Sequence, residues 1–306
     1  MEIVFERLTE ALTQLPEDYV DSRRVFHGRG KCFTGLEFLS VDLFDPVLLV
    51  TLFDDPGEDW LDSFVSRLKA VVEPTRLECV LLQRRDRPRA PTETLYGSLS
   101  VDTFARRGPL RFRLTFEGRQ NCGYFLDMEP GRKWLEQRCL GKRVLNLFSY
   151  TCAFSVVAIA GGAERVVNVD MSSAALNEGR ANHRLNELPT ERTSYIASNV
   201  LKSWGRIKRQ GPYDAVIVDP PSFQRGSFQA ERDYGKVARR LPELLGPGGE
   251  VLACLNAPEL KIGFLKSAFE TNAPELIFDQ RLDPDPTFPD MDPERQLKLL
   301  VFRKRL

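Results

Sequence analysis

The chain has 306 residues, enough for two domains. Lysine plus arginine (43) equals aspartate plus glutamate (43), which excludes the global positive field of many nucleic-acid binders and leaves any basic surface local. Six cysteines (Cys32, Cys79, Cys122, Cys139, Cys152, Cys254) without a Cys-x-x-Cys pair, and only two histidines, argue against a zinc site and for reduced, mostly buried thiols.

The N-terminus carries Glu2, Glu6 and Arg7 among its apolar residues and has no signal-type core, and no apolar run reaches membrane-spanning length. A soluble cytoplasmic protein, monomer or homodimer, is expected. From Phe26 to Phe116, short β-type runs (Phe38 to Val41, Val47 to Phe53, Cys79 to Gln83, Arg111 to Phe116) are broken by glycine, proline and charge. Between them Trp60, Leu61, Phe64, Val65, Leu68 and Val71 or Val72 have the spacing of one buried helical face. The pattern predicts a small α+β domain over residues 1–108, with a boundary near Arg106 to Pro109. Beyond it, over residues 109–306, apolar runs alternate with helical segments in the βαβ manner of a parallel sheet.

In this second part Arg143 to Phe148 predicts a strand, followed by the turn Ser149-Tyr150-Thr151-Cys152-Ala153 and an apolar helix from Phe154 to Ala160. Gly161-Gly162 ends that helix, because glycine accepts left-handed backbone. Arg165 to Val169 predicts the second strand, delivering Asp170 about twenty residues past the turn, where a doubly wound fold presents a carboxylate to a ribose diol. Ser172 or Ser173 is positioned to cap a helix through Ala174 to Asn186. Tyr195 to Ala197, ending at Ser198-Asn199, predicts the third strand, and Tyr213 to Val218, ending at Asp219, the fourth. Glu250 to Leu255, after the Gly246-Pro247-Gly248-Gly249 turn, predicts the fifth.

Ligands of open α/β sheets bind beyond the carboxyl ends of the strands, where Ser149, Asp170, Asn199 and Asp219 all fall. Singly, Asp170 reads as readily as a helix cap, Asn199 as a turn residue, and Asp219 to Phe223 as a Pro-rich turn. Their occurrence at consecutive strand ends is what argues for a site. In Asp219-Pro220-Pro221-Ser222-Phe223 the prolines stiffen the turn and remove two backbone donors, leaving carbonyls to accept hydrogen bonds from a flat, nitrogen-bearing ring on which Phe223 would stack.

The run Lys142 to Thr151, then Val167 to Asp170, then Asp219 to Phe223, resembles the class I S-adenosylmethionine-dependent methyltransferases of the bacterial large-subunit ribosomal RNA methyltransferase I and K family. The likeness covers about Arg111 to Arg303. It implies a Rossmann-like seven-stranded α/β domain after the small α+β domain, S-adenosyl-L-methionine as cofactor, and ribosomal RNA, of 23S type or a large-subunit precursor, as substrate. Gly123-Tyr124-Phe125-Leu126-Asp127 is similar to the family's segment that closes over the cofactor. The cofactor-binding set implied is Phe125, Asp127, Asn146, Phe148, Ser149, Tyr150, Thr151, Asp170, Met171, Ser172, Asn199, Val200 and Asp219. The catalytic set implied is Asp219, Pro220, Pro221, Phe223 and Asn256.

The N-terminal third does not resemble the RNA-binding domain that several members carry. The family's first turn usually reads Ser-Tyr-Thr-Gly-Gly-Phe, whereas this chain has Cys152-Ala153 in place of the glycines. Ordinary φ values at both residues, or a slightly displaced cofactor, are therefore expected. Asn199 replaces a common aspartate and retains the capacity to hydrogen-bond adenine.

Carbon-5 of a pyrimidine needs a cysteine adduct before methylation. The family members acting there have that cysteine two residues beyond Cys254, where this chain has Asn256. Cys254 reads as a packing cysteine or, alternatively, a displaced nucleophile. The branch methylating guanine nitrogen is more similar, with asparagine after the fifth strand, and a guanine nitrogen of ribosomal RNA is the expected target. Basic runs at Arg84-Arg85-Asp86-Arg87-Pro88-Arg89, at Arg106 to Arg113, and at Arg206, Lys208 and Arg209 fit RNA phosphate or are solvated surface. His27-Gly28-Arg29-Gly30-Lys31 is either an RNA-touching loop or a turn. The alternatives are a 5-methylcytosine rRNA methyltransferase, a methyltransferase of protein or small molecules, a non-catalytic RNA-binding protein and a nicotinamide-dependent dehydrogenase, the last lacking the Gly-x-Gly-x-x-Gly turn and leaving Asp219 to Phe223 unexplained.

Overall fold

The computed structural model describes residues 1–13, 15, 20–100, 102–224 and 226–305. The chain divides into one unit of Met1–Leu126 with Pro286–Asp292 and another of Asp127–Asp285 with Pro293–Leu306.

In the first unit α1 (Glu2–Thr13) precedes β1 (Arg23–His27), β2 (Leu39–Phe44), β3 (Val47–Leu52), α2 (Glu58–Val72), β4 (Cys79–Arg84) and β5 (Thr92–Gly97), then the hairpin β6 (Phe104–Arg107) and β7 (Leu110–Arg113). The first five strands form one sheet in chain order, antiparallel except for β3 and β4, which α2 connects in parallel. β2, β3 and β4 are buried along their whole length, so both sheet faces must be covered. The two helices contribute Val4, Phe5, Leu8, Phe64 and Leu68 to one core with Val41, Val50 and Leu82.

For the other face, Phe116 packs on Phe44, and Gln83 and Thr92 donate to the carbonyls of Arg119 and Phe116. This cover is why the unit continues to Leu126 rather than ending at residue 108. The unit also includes residues 286–292, where Met291 N–H donates to the Gly30 carbonyl. A Cβ at Gly30 would lie 1.8 Å from the Pro289 carbonyl oxygen, so only glycine admits that return.

The second unit runs α3 (Glu129–Glu136), β8 (Arg143–Leu147), α4 (Ala153–Ala160), β9 (Arg165–Asp170), α5 (Ser173–Leu185), β10 (Thr193–Ala197), α6 (Trp204–Lys208) and β11 (Tyr213–Val218). A small ribbon of β12 (Phe223–Gln224) and β13 (Phe228–Gln229) follows, then α7 (Ala230–Ala238), β14 (Leu245–Leu255), α8 (Ile262–Asn272), β15 (Leu276–Arg281) and β16 (Lys298–Lys304). The seven-stranded sheet has the order β10-β9-β8-β11-β14-β16-β15, with β16 alone reversed. Strand order turns back between β8 and β11, the switch point at which open α/β sheets leave a crevice. One core packs α7 and α8 against Leu145, Val216, Val251 and Leu300; the other packs α3 and α4 against Val144, Ile217, Leu252 and Val301.

A chain of buried side chains crosses the second of these layers. Asn146 Nδ2 donates to Asn168 Oδ1 at 3.0 Å, Asn168 Nδ2 donates to Ser155 Oγ at 3.0 Å, and Ser155 Oγ lies 3.0 Å from His183 Nε2. His183 Nδ1 faces the Gly179 carbonyl at 2.8 Å and must donate there, so Nε2 accepts from Ser155. Burial lowers the pKa of His183, which keeps the ring neutral and the chain consistent.

Candidate active site

Five strand ends are stitched into a continuous edge. Ser149 N–H donates to the Val169 carbonyl at 3.1 Å and Ser198 N–H to the Asp170 carbonyl at 2.8 Å, joining β8, β9 and β10. Asp219 N–H reaches the Leu147 carbonyl at 3.5 Å, joining β11 to β8, and the Ser222 hydroxyl donates to the Asn256 carbonyl, joining the turn after β11 to that after β14. Thus Ser149, Asp170, Asn199 and Asp219 occupy the one edge that the strand pattern indicates.

The turn after β8 holds three left-handed residues, Phe148 (φ 58°), Tyr150 (φ 46°) and Cys152 (φ 63°). The expectation of ordinary φ at Cys152 is therefore corrected, at a cost of about 1–2 kcal/mol; Ala153 begins α4. The surroundings hold the turn there. Tyr150 N–H donates to Asp170 Oδ2 at 2.9 Å, Cys152 N–H to the Ser149 carbonyl at 2.7 Å, and Asn182 Nδ2 to the Thr151 carbonyl at 3.1 Å. Room for the sulfur comes from α5, where a Cβ on Gly179 would lie 2.4 Å from Cys152 Sγ.

Asp170 uses its other oxygen on Ser172 N–H at 2.8 Å, while the Ser172 hydroxyl caps α5 by accepting from Ala175 N–H. Met171 between them is 46% exposed, an apolar ledge beside the carboxylate. Asn199 Oδ1 accepts from Leu201 N–H, and Val200 is buried behind it. Phe148 packs edge-on against Phe228 at 5.1 Å. Asn146 departs from the resemblance: its amide lies inside the sheet in the chain to Asn168, because at its register position the side chain faces the helix layer rather than the open edge. Phe125 belongs to the first unit and is 36% exposed.

Asp219 has its carboxyl pushed up to about 7, first by burial and then by the charge of Asp127, with Arg132 pulling the other way. Arg132 is itself buried and donates to Glu129 at 3.0 Å. Tyr234, fully buried, donates to the Cys254 carbonyl at 3.0 Å and lies 3.4 Å from that of Val218, clamping the ends of β11 and β14. Pro220 is buried, Pro221 exposed, and the Phe223 ring is 68% exposed at the mouth of the turn. Asn256 is exposed on the facing segment. Cys254 is fully buried in the core with α3 and α4, and burial, then Asp219 and Asp127, push its thiol well above the ordinary value. It is a protonated packing group.

Arg132 and Tyr234 were not evident in the sequence. Arginine within Glu129-Pro130-Gly131-Arg132-Lys133 reads as surface, and the only hint is its i,i+3 spacing from Glu129. Nothing local marks Tyr234.

A family model described as S-adenosylmethionine-dependent methyltransferase matches residues 23–303. The chain belongs to the S-adenosylmethionine-dependent methyltransferases. Ribosomal RNA large subunit methyltransferase I of Photobacterium profundum is 31% identical over 231 residues, which cover 71% of this chain and 57% of that protein. Ribosomal RNA large subunit methyltransferase K/L of Shewanella sp. strain MR-4 is 35% identical over 160 residues, covering 50% and 22%. The chain thus spans less than two thirds of the length of either relative. Its fold is that of SMU.776, crystallised with SAH, at a TM-score of 0.87 and 23% identity over 98% of this chain and 80% of the other.

S-adenosylmethionine fits this edge. Each Asp170 oxygen accepts one backbone bond and keeps a lone pair for a ribose hydroxyl. Asn199, with Oδ1 engaged by Leu201 N–H, has an NH2 group able to donate, and Met171 is a half-exposed apolar side chain. Among the described residues no helix is long and apolar enough to cross a membrane.

Proposed function

We propose that this methyltransferase modifies a ring or exocyclic nitrogen of an RNA base, a guanine of ribosomal RNA in the cytosol. The observation carrying the reading is the pair of turns at Asp219 and Asn256, tied by Ser222, with a carboxyl titrating near neutrality and the nearest thiol, Cys254, buried and protonated. Bound S-adenosylmethionine supplies an electrophilic methyl carbon on a sulfonium. The protein's share is to position a nucleophile in line and exclude water. A carboxylate at Asp219 would accept a hydrogen bond from the base N–H and hold the proton that the nitrogen gives up on methylation; a group titrating near 7 suits that role. Phe223 supplies a ring for an unpaired base to stack on, Asn256 orients the base edge, and Pro220-Pro221 keep the turn rigid. The names of the rRNA methyltransferase relatives support the substrate class, and the first unit is read as a further RNA contact.

The test is methyl incorporation from labelled cofactor into rRNA from a deletion strain, followed by nucleoside mass spectrometry. A single methylguanosine is expected. Gain of 5-methylcytidine would overturn the nitrogen assignment, and transfer only to protein or small molecules would overturn RNA.

A further inference from the structure

The first unit carries a cluster for which methyl transfer has no use. β3 and β4 are parallel, and β1 and β3 both pair antiparallel with β2, so these three strands end on the same side of the sheet. The segments leaving those ends carry Arg29, Phe53 and Arg85. The Arg29 guanidinium lies over the Phe53 ring, 4.1 Å from its centroid, and that of Arg85 stands 5.2 Å from the same centroid. Arg24 lies 4.4 Å over the Phe288 ring, which also packs on His27 at 5.2 Å. Two guanidiniums thus share the Phe53 ring, and a third sits on the Phe288 ring.

The arginines here differ in how their charge is met. Arg24 is held by Asp42 through bonds of 2.7 and 2.9 Å and donates to His27 Nδ1 at 2.7 Å, which keeps that ring neutral. Burial, then Arg24 and Arg29, lower the His27 pKa to about 3. Arg84 is occupied by Asp86 at 2.7 Å and Asp55 at 3.5 Å, so it is a buried structural residue rather than part of a basic surface. Arg85 differs. It is half-buried, its backbone N–H is spent on the Leu52 carbonyl, and its guanidinium forms no ion pair with any described residue. Burial and the neighbouring Arg24 both act against its charge. A partly desolvated cation without an ion-pair partner is stabilised by an anion from outside. Phosphate oxygens match the guanidinium fork, and stacked guanidinium and ring planes suit unpaired bases.

We propose that this end of the first unit docks the backbone of single-stranded RNA, with Arg85 and Arg29 on phosphates and Phe53 holding both guanidiniums in place. The site rests on the reading that the substrate is RNA and adds a contact outside the methyl-transfer residues. The test is fluorescence anisotropy of a labelled single-stranded RNA oligonucleotide across a salt series, using the full chain. In Arg29→Gln/Arg85→Gln the slope of log Kd against log salt should fall by about 1.4, at about 0.7 per phosphate released on a single strand. Arg85→Lys should keep most of the slope, and Arg29→Gln, at an exposed position, should lose about 0.7 and guard against misfolding of the double variant. With rRNA substrate the double variant should raise KM and leave kcat and cofactor affinity unchanged. Wild-type binding whose slope is unchanged in the double variant, or lost equally in the remote variant Arg7→Gln, overturns the docking site and leaves RNA as substrate. Absence of salt-dependent RNA binding by the wild type overturns both.

Discussion

Gly179→Ala is the most discriminating perturbation of the turn after β8, because its effect should reverse sign with the residue at position 152. The added methyl would lie 2.4 Å from Cys152 Sγ and 2.8 Å from its Cβ, against a normal separation of about 3.5–4.0 Å. Turn or helix must then move by about 1 Å, an overpacking that costs about 1–3 kcal/mol. Replacing glycine within a helix returns about 1 kcal/mol, leaving a net loss of about 0–2 kcal/mol, centred near 1 kcal/mol. In a Cys152→Gly background both crowding atoms are gone and only the Thr151 carbonyl carbon remains, at an ordinary 3.4 Å, so the same change should stabilise by about 0.5–1 kcal/mol. The coupling between the two sites is therefore about 2 kcal/mol. Scanning calorimetry of the four proteins reads it, at roughly 2–4 °C per kcal/mol for a domain of this size. Equal destabilisation by Gly179→Ala in both backgrounds would refute the idea that α5 makes room for the sulfur. Cofactor titration of the same proteins should show Gly179→Ala weakening binding and Cys152→Gly restoring it.

The carboxyl of Asp219 is raised from 3.8 to about 7, so the folded protein holds a proton there that the unfolded chain has lost. Its stabilising contribution is full below the unfolded value and fades as pH rises through about 7, and Asp219→Asn should remove that slope from a stability profile taken across pH. Methyl transfer, needing the carboxylate, should rise with pH with a midpoint near 7. Asp127→Asn should lower this midpoint and Arg132→Gln raise it, and a midpoint indifferent to both would sink the electrostatic account. Tyr234→Phe leaves the Cys254 carbonyl without its side-chain donor and should cost about 1–3 kcal/mol in stability, with kcat falling more than cofactor affinity. Asp170→Ala should weaken cofactor binding by roughly tenfold or more, seen by calorimetry, while Asp219→Ala should chiefly slow turnover. Cys254→Ala should keep transfer within a few-fold of wild type; a loss on the order of a hundredfold would revive a covalent mechanism.

Strands β8, β9 and β11 were legible because strands buried on both faces are written as mostly apolar runs, interrupted only by Asn146 in β8 and Asn168 in β9 and opened by Tyr213-Asp214 in β11, and the residue closing each run lies at the candidate site. Helix α2 was legible from one apolar stripe, and the end of α4 from Gly162, whose φ is 87°. What escaped depends on distant partners. β16, the one reversed strand, has the same apolar texture as its parallel neighbours. Residues 286–292 join the first unit because Gly30 leaves space for them, a condition invisible from either segment alone. Asn146 sits in a segment that matches the family motif, yet its amide is committed to Asn168, which only the register of β8 on β9 reveals. Cys152 takes a glycine-like conformation because three hydrogen bonds around its turn and a glycine on α5 impose it, and no propensity of cysteine predicts that.

The buried amide chain also bears on how the sheet finds its pairing. β8 and β9 are otherwise interchangeable rows of valine and leucine, and sliding one along the other by a step would cost little in apolar contact. Asn146 opposite Asn168 breaks that degeneracy: a one-residue slip turns one amide towards the opposite helix layer, and a two-residue slip separates donor from acceptor, leaving desolvated polar groups at about 1–3 kcal/mol each. The pair acts as a key that admits one alignment. Since Asp170 and the Ser149 turn hang from the ends of these same two strands, the alignment fixed deep in the sheet is also what brings carboxylate and turn to matching height at its edge.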